Sequence, residues 1–391
     1  MREALAALEA DGRTPVVSEI DLFLRLCPAT TIGVTGTKGK TTTSSLIAAV
    51  LARGAAPSIL GGNIGIPLVE RLPELTPEHR VVVELSELQL PSLSHGTDVA
   101  VYTHVTSDHL DRHGTVEAYR AAKRRLAELL PSSGAIVVNA EDPVSSSFVT
   151  ASAAPAMYYQ RDEPISGGVG VSGDWIVADG VERLSSVGGS AFGGRIMPLG
   201  EVQIPGDHNT SNVLAAVAVG LLFGIAPDAI RAAIAQFRGV EHRLERVATI
   251  DRVTFVNDSQ GTQPDAVIAA LRAFDAPIVL IAGGRTKNVP LNELADVVAE
   301  RAAAAILIGE TADEMTAMFG RAGLEHIERA TTLDNAVVRA FDIARDLAGD
   351  GVATVLLSPA ATSFDMFVDY EHRGRAFKDA VADLATRGGG D

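Results

Sequence analysis

Apolar positions in the first part of the chain follow two alternating patterns. Nearly continuous runs rich in Val and Ala, at Val81–Leu85, Val99–Val105 and Ala135–Asn139, are separated by stretches whose apolar residues recur at helical spacing, as over Val116–Leu130. Strands buried on both faces read as such runs, so the pattern predicts a parallel sheet covered by helices. From about Met157 to Pro205 short alternating segments with many glycines predict a small antiparallel appendage. Helical patterns return over Asn209–Phe223 and Pro227–Phe237. A second series then begins, with strands expected at Arg252–Asn257, Pro277–Ala282, Ala304–Ile308 and Thr354–Leu357 and helices between them. The boundary between the two series falls near Glu241–Arg243.

Composition narrows the function classes. A chain of 391 residues has room for roughly two or three domains, each with its own core. A net charge of -16 argues against nucleic acid or an anionic membrane as the main partner, so an anionic substrate must be met by local cations. The single cysteine, Cys27, excludes an internal disulfide and reads as buried filler in a reducing compartment. The acidic, amphipathic start lacks the apolar core of a secretion signal, and the longest apolar run, Val213–Ala226, is too short to span a bilayer. A cytoplasmic protein is expected, with a disordered tail over Arg387–Asp391.

The stretch Thr31–Thr43 carries the strongest chemical signal: a β-branched strand, a glycine-rich turn and Gly39-Lys40-Thr41 opening a helix. Backbone N–H groups in such a turn close around phosphate oxygens, a lysine reaches the outer phosphates, and a hydroxyl at the helix start can ligate Mg²⁺. The usual spacing wants glycine where this chain has Val34; its glycines stand at Gly33 and Gly36. The turn therefore reads as a nonstandard loop for a nucleoside triphosphate. Glu84, in Glu84-Leu-Ser-Glu-Leu-Gln89 at a strand end, is placed to hold Mg²⁺, a solvated acid being the alternative. His109, within Thr106–His113, could be a metal ligand, an acid or base, or a surface histidine. By pattern alone Lys123, in Tyr119-Arg-Ala-Ala-Lys-Arg-Arg125, reads as a solvated charge.

In chain order, Gly36-Thr-Lys-Gly-Lys-Thr-Thr42, Gly61-Gly-Asn-Ile-Gly-Ile-Pro67, Glu84-Leu-Ser86, Asp108-His-Leu-Asp-Arg112 and Tyr119–Lys123 resemble the central domain of the Mur ligases. Gly206-Asp-His-Asn-Thr-Ser-Asn212, Glu241-His-Arg-Leu-Glu245, Asn257-Asp-Ser259, Gly283-Gly-Arg-Thr-Lys287 and Ser358–Phe377 continue the resemblance, which covers about residues 17–385. It implies an α/β protein: a central P-loop-type domain over 30–241, mostly parallel with the antiparallel appendage, and a C-terminal Rossmann-like domain over 242–391. Residues 1–29 are then the end of an N-terminal UDP-binding domain, with a misassigned start, a fragment or a different mode of substrate recognition as the open explanations.

The resemblance further implies an ATP-dependent amide ligase that passes through an acyl phosphate. Its substrates are small molecules: ATP, UDP-muramoyl-alanine and D-glutamate; another Mur or folylpolyglutamate-type amide ligase, or a truncated non-catalytic ATP-binding module, is the alternative. It implies a monomer with no nucleic-acid or membrane partner, and two Mg²⁺ ions held by Thr41, Glu84, His109 and a carbamylated Lys123. Lys40, His109, Lys123 and Arg243 carry over as catalytic. Gly36, Thr37, Lys38, Gly39, Lys40, Thr41, Thr42, Asn209, Asn212, His242, Arg243 and Asp258 carry over as ATP contacts. Asn63, Ser86 and Gln89 match positions at the muramoyl-alanine end, and Thr262, Lys287, Ser363 and Tyr370 match the D-glutamate pocket. Four positions depart: Gln260 stands where lysine is frequent, Tyr370 where phenylalanine is common, and Glu87 and His104 also replace commoner residues.

Overall fold

The computed structural model describes residues 17–64, 67–106, 114–184, 186–204, 206–286 and 290–388. The chain divides into two compact units, Met1–Arg238 and Gly239–Asp391. Among the described residues no helix is long and apolar enough to cross a membrane.

The first unit is built on a nine-stranded sheet of order β2-β3-β1-β4-β5-β6-β7-β8-β9. Its strands are β1 (Thr30–Thr35), β2 (Ser58–Gly62), β3 (Arg80–Glu84), β4 (Val99–Tyr102), β5 (Ala135–Asn139), β6 (Ala156–Tyr159), β7 (Gly168–Ser172), β8 (Trp175–Val181) and β9 (Phe192–Pro198). Pairing is parallel from β2 through β7 and antiparallel from β7 to β9. The antiparallel strands expected from the sequence are β7–β9, joined to the parallel part of the sheet through β6. Both faces of the central strands are fully buried, which accounts for their unbroken apolar runs.

One face is covered by α2 (Lys40–Leu51), α5 (Asp207–Leu222) and α6 (Pro227–Gln236). Helix α5 is apolar on every side and buried from Asn212 to Leu222, as a helix wedged between a sheet and other helices must be. The other face carries α1 (Glu19–Leu26) and α3 (Val116–Glu128), with the short α4 (Pro143–Ser147) nearby.

The second unit has a six-stranded sheet of order β10-β11-β15-β12-β13-β14. Its strands are β10 (Glu245–Ile250), β11 (Val253–Asn257), β12 (Ile278–Gly283), β13 (Ala304–Ile308), β14 (Ile327–Arg329) and β15 (Ala353–Leu357). Only the edge pair β10–β11 is antiparallel. Helices α10 (Leu333–Ala348) and α11 (Tyr370–Gly388) cover one face, while α7 (Pro264–Arg272), α8 (Asn292–Arg301) and α9 (Ala312–Ala322) cover the other. The loops after β11, β12 and β15 leave the carboxyl ends of three adjacent strands, where open parallel sheets present their ligand-binding residues.

Candidate active site

In the first unit the glycine-rich turn follows β1. Gly39 (φ 88) takes the left-handed backbone that turns the chain into α2, and a β-carbon there would come within 2.5 Å of Asn212 Oδ1. Gly36 also has positive φ, and its β-carbon would overlap Thr103 Oγ1. Neighbours fix the loop from below: Thr37 N donates to the His104 carbonyl (2.7 Å), and Thr103 Oγ1 donates to the Lys38 carbonyl (2.6 Å). Thr37 Oγ1 lies 2.8 Å from the Tyr119 hydroxyl and accepts from Thr106 N (3.0 Å). Helix α2 has no side-chain N-cap and no acid in its first turn, so its positive end is shaped for an anion. Thr41 is buried there, and Lys38 is exposed.

Two ammonium groups converge on one carbonyl. Lys40 Nζ donates to Gly36 O (3.1 Å) and Thr37 O (3.0 Å), and Lys123 Nζ donates to Gly36 O at 2.8 Å. Lys123 is fully buried, 5.0 Å from the centre of the Tyr119 ring, which corrects the pattern-based reading of it as a solvated charge. A signal for its burial existed: Tyr119, Ala122, Leu126 and Ala127 mark the inward stripe of α3, and Lys123 falls on that stripe.

Glu84 ends β3 beside Val34 of β1 and is buried. Its Oε1 accepts from Asn63 Nδ2 (3.1 Å); its Oε2 is buried with no hydrogen-bond partner. A buried carboxylate oxygen without a donor is costly unless a cation completes it, so the residues present fit a divalent metal at this point. Ser86 and Gln89 sit just beyond, Gln89 Oε1 accepting from Ser86 N (3.0 Å) and Oγ (3.1 Å). Asn212 Oδ1 accepts from Thr43 Oγ1 (3.0 Å) and its Nδ2 donates to Asn209 Oδ1 (3.1 Å), tying both asparagines to the loop helix. His109 lies outside the described residues.

The second unit gathers the remaining positions. His242 is buried and Arg243 exposed. The His242 ring lies 2.9 Å from Asn257 Nδ2, and burial pulls its pKa below the usual imidazole value. Asp258 accepts from Leu244 N (3.2 Å) and Ser358 Oγ (2.6 Å), and burial pushes its carboxyl up to about 6. Ser363 is buried, and Thr262 and Tyr370 are half-buried. Burial also raises the Tyr370 hydroxyl, which donates to Glu371 Oε1 (3.4 Å); Gln260 Oε1 is buried without a partner. Lys287 lies outside the described residues. The segment leading to it is joined to the Ser363 loop by paired backbone bonds, Arg285 N to Thr362 O (2.9 Å) and Thr362 N to Arg285 O (3.1 Å).

Arg373 is a residue to which sequence reasoning gave no role. It is buried, and its guanidinium donates from Nε to Ser259 Oγ (3.0 Å), from Nη2 to Ser259 O (2.9 Å) and from Nη1 to Ala361 O (3.3 Å). It thereby binds the Asn257–Gly261 loop to the Pro359–Ser363 loop. Burial pulls its pKa down to about 10, so it stays charged at neutral pH.

Comparison with known proteins bears on both units. Residues 34–220 match the Mur ligase middle domain and residues 242–361 match the Mur ligase, glutamate ligase domain. The UDP-N-acetylmuramoylalanine--D-glutamate ligase of Desulfitobacterium hafniense (strain Y51) is 39% identical over 93% of this chain and 77% of its own length. Its counterpart in Symbiobacterium thermophilum is 40% identical over 98% of this chain and 83% of its own. Among solved structures, MurF from Acinetobacter baumannii superposes with a TM-score of 0.61 at 18% identity, covering 93% of this chain and 78% of that one. A murein peptide ligase from Psychrobacter arcticus 273-4 gives 0.58 at 15% identity, over 98% and 82%. At these identities the two structures speak for the fold alone.

Proposed function

The chain belongs to the Mur ligase family of ATP- and Mg²⁺-dependent amide-forming enzymes of peptidoglycan synthesis, and on that premise we propose that it adds D-glutamate to UDP-N-acetylmuramoyl-L-alanine. In the first step the alanine carboxylate attacks the γ-phosphorus of ATP, the bond to the β–γ bridging oxygen breaks, and ADP leaves. The glutamate amine then attacks the acyl carbon of the resulting acyl phosphate. The tetrahedral intermediate expels inorganic phosphate with the C–O electron pair, and the amine loses a proton.

The Lys40 ammonium lying against the glycine-rich turn at an uncapped helix start is the observation that carries this reading. Joining carboxylate to triphosphate brings anions together, and fixed cations at the transferring phosphoryl lower that barrier. Gly36, Thr37, Lys38, Gly39, Thr41 and Thr42 cradle the phosphates, and Lys40 turns from the loop carbonyls to them when nucleotide arrives. Mg²⁺, when bound, supplies further neutralisation of the phosphate charge. Thr41 and Glu84 would hold it, with His109 and Lys123 as the further ligands proposed for a pair of ions. Carbamylation of Lys123 by CO₂ would turn its ammonium into a carboxylate suited to that role.

Asn209, Asn212, His242 and Asp258 serve the nucleoside, Asp258 as an acceptor for ribose, and Arg243 serves the γ-phosphate. Asn63, Ser86 and Gln89 serve the muramoyl-alanine end. Thr262, Lys287, Ser363 and Tyr370 hold the carboxylates of glutamate, where hydroxyls and one cation suit two anionic groups. We assign 30–241 to the ATP domain, 242–391 to the C-terminal ligase domain and 1–29 to the end of a UDP-binding domain, in a cytoplasmic monomer.

Isotope exchange tests the acyl phosphate. ATP labelled with ¹⁸O at the β–γ bridge should scramble its label when the muramoyl-alanine nucleotide is present and glutamate is withheld. Retention of the label in the bridge under those conditions, in enzyme that turns over with glutamate, would exclude a reversible acyl phosphate.

A further inference from the structure

Glu241–Glu245 leads into β10 along an unusual backbone. His242 (φ 62) and Leu244 (φ 45) both occupy the left-handed region, and the exposed Arg243 is carried between them. Residues bearing a β-carbon hold that conformation only where their surroundings impose it. Glu245 Oε2 accepts from His242 N (2.9 Å) and Asn257 Nδ2 (3.1 Å), Asp258 Oδ1 accepts from Leu244 N (3.2 Å), and Gln260 N donates to His242 O (3.0 Å). The His242 ring packs so closely on Gly374 that a β-carbon there would overlap it.

One side chain closes this loop from both ends. Lys378 on α11 donates from Nζ to Glu241 Oε1 at 2.8 Å and to Glu245 Oε1 at 2.9 Å, one carboxylate on each side of Arg243. Glu241, His242 and Glu245 bring potential metal-ligand atoms within 4.8 Å of one another, but the Lys378 ammonium already lies on both carboxylates. The cluster is therefore an internal ion network and not a cation site.

We propose that Lys378 is a positioning residue: by cross-linking Glu241 to Glu245 it fixes the backbone that presents the Arg243 guanidinium to the transferring phosphoryl group. The inference rests on the reading of Arg243 given above. Lys378 touches no reacting atom, and its effect passes entirely through Arg243.

The test compares Lys378→Met, Lys378→Arg, Arg243→Ala and the Arg243→Ala/Lys378→Met double variant of the full chain. Lys378→Met should lower kcat/KM for ATP about tenfold while KM for glutamate stays within twofold, and Lys378→Arg should restore most of the loss. In the Arg243→Ala background, Lys378→Met should add less than a twofold further effect. Calorimetry supplies a readout without turnover: the parent should prefer Mg²⁺–ATP to Mg²⁺–ADP, and both single variants should lose that preference. If Lys378→Met fails to fold, Glu241→Gln, which removes one of the two acceptors, should show the same ATP-specific loss in smaller measure. A Lys378→Met enzyme within twofold of the parent beside a crippled Arg243→Ala enzyme, or fully additive losses in the double variant, overturns the inference alone. An unimpaired Arg243→Ala enzyme overturns the underlying reading as well.

Discussion

Replacing Glu84 by Gln should stabilise the metal-free protein and disable the enzyme. The substitution keeps shape and volume at a buried position, retains an oxygen for Asn63 Nδ2, and removes the charge whose other oxygen has no partner. A buried, unsatisfied polar atom costs about 1–3 kcal/mol, and more where it is charged. A neutral amide is still imperfectly satisfied at the same place, so recovery of about 1–2 kcal/mol is the reasonable expectation. For a unit of 238 residues, about 1 kcal/mol corresponds to roughly 2–4 °C in melting temperature. Scanning calorimetry in EDTA should therefore place the variant roughly 2–8 °C above the parent. Adding Mg²⁺ and ATP should raise the parent's transition strongly and the variant's weakly, and turnover should fall by about a hundredfold or more with the loss of fixed transition-state charge. A variant that melts below the parent in EDTA and responds to Mg²⁺–ATP as the parent does would refute the assignment of Glu84 as a metal ligand waiting for its ion.

Lys40→Ala should abolish ADP release, because the transferring phosphoryl loses its fixed cation; a near-normal rate would overturn the phosphate assignment. Asp258 makes stability pH-dependent: its folded pKa, raised by burial from the ordinary 3.8 to about 6, gives stability present in full below about 3.8 and lost as pH rises through about 6. The parent-minus-Asp258→Asn difference in melting temperature should follow that curve, and a flat difference would contradict it. Arg373→Met should destabilise the second unit by about 3 kcal/mol, since three donors to Ser259 and Ala361 disappear from a buried site. Chemical denaturation gives the number, and a change under about 1 kcal/mol would show that the two loops hold each other without it.

How far the chain can be read before folding depends on the range of the interaction that sets each feature. The glycine-rich turn after β1 was legible because its marks are local: glycines with positive φ at Gly36 and Gly39, and a lysine and threonine at a helix start. The central strands were legible because burial on both faces removes polar residues from the run itself. The strand β10 was missed because it is an edge strand with little buried surface, and its apolar pattern is correspondingly weak. The continuation of β7–β9 into the main sheet depends on pairing between β6 and β7, a tertiary choice that alternation within each segment does not encode.

The site follows the same rule. Lys123 carries a charged side chain onto a buried stripe, and residue type misleads where helical spacing informs. Arg373 and Lys378 act on loops more than a hundred positions earlier in the chain, as the bonds to Ser259 and Glu241 show. Only the folded arrangement of β11, β15 and α11 brings those groups together.

The central claim, addition of D-glutamate to a muramoyl-alanine nucleotide, is tested most directly by mass spectrometry of the product. With ATP, Mg²⁺, UDP-N-acetylmuramoyl-L-alanine and D-glutamate, the product should be a nucleotide heavier by one glutamyl residue, with one ADP and one phosphate released per product, and no product should form when L-glutamate replaces the D-isomer. Transfer of glutamate to a folate acceptor in place of the muramoyl-alanine nucleotide, or coupling of a different amino acid in preference to D-glutamate, would contradict it.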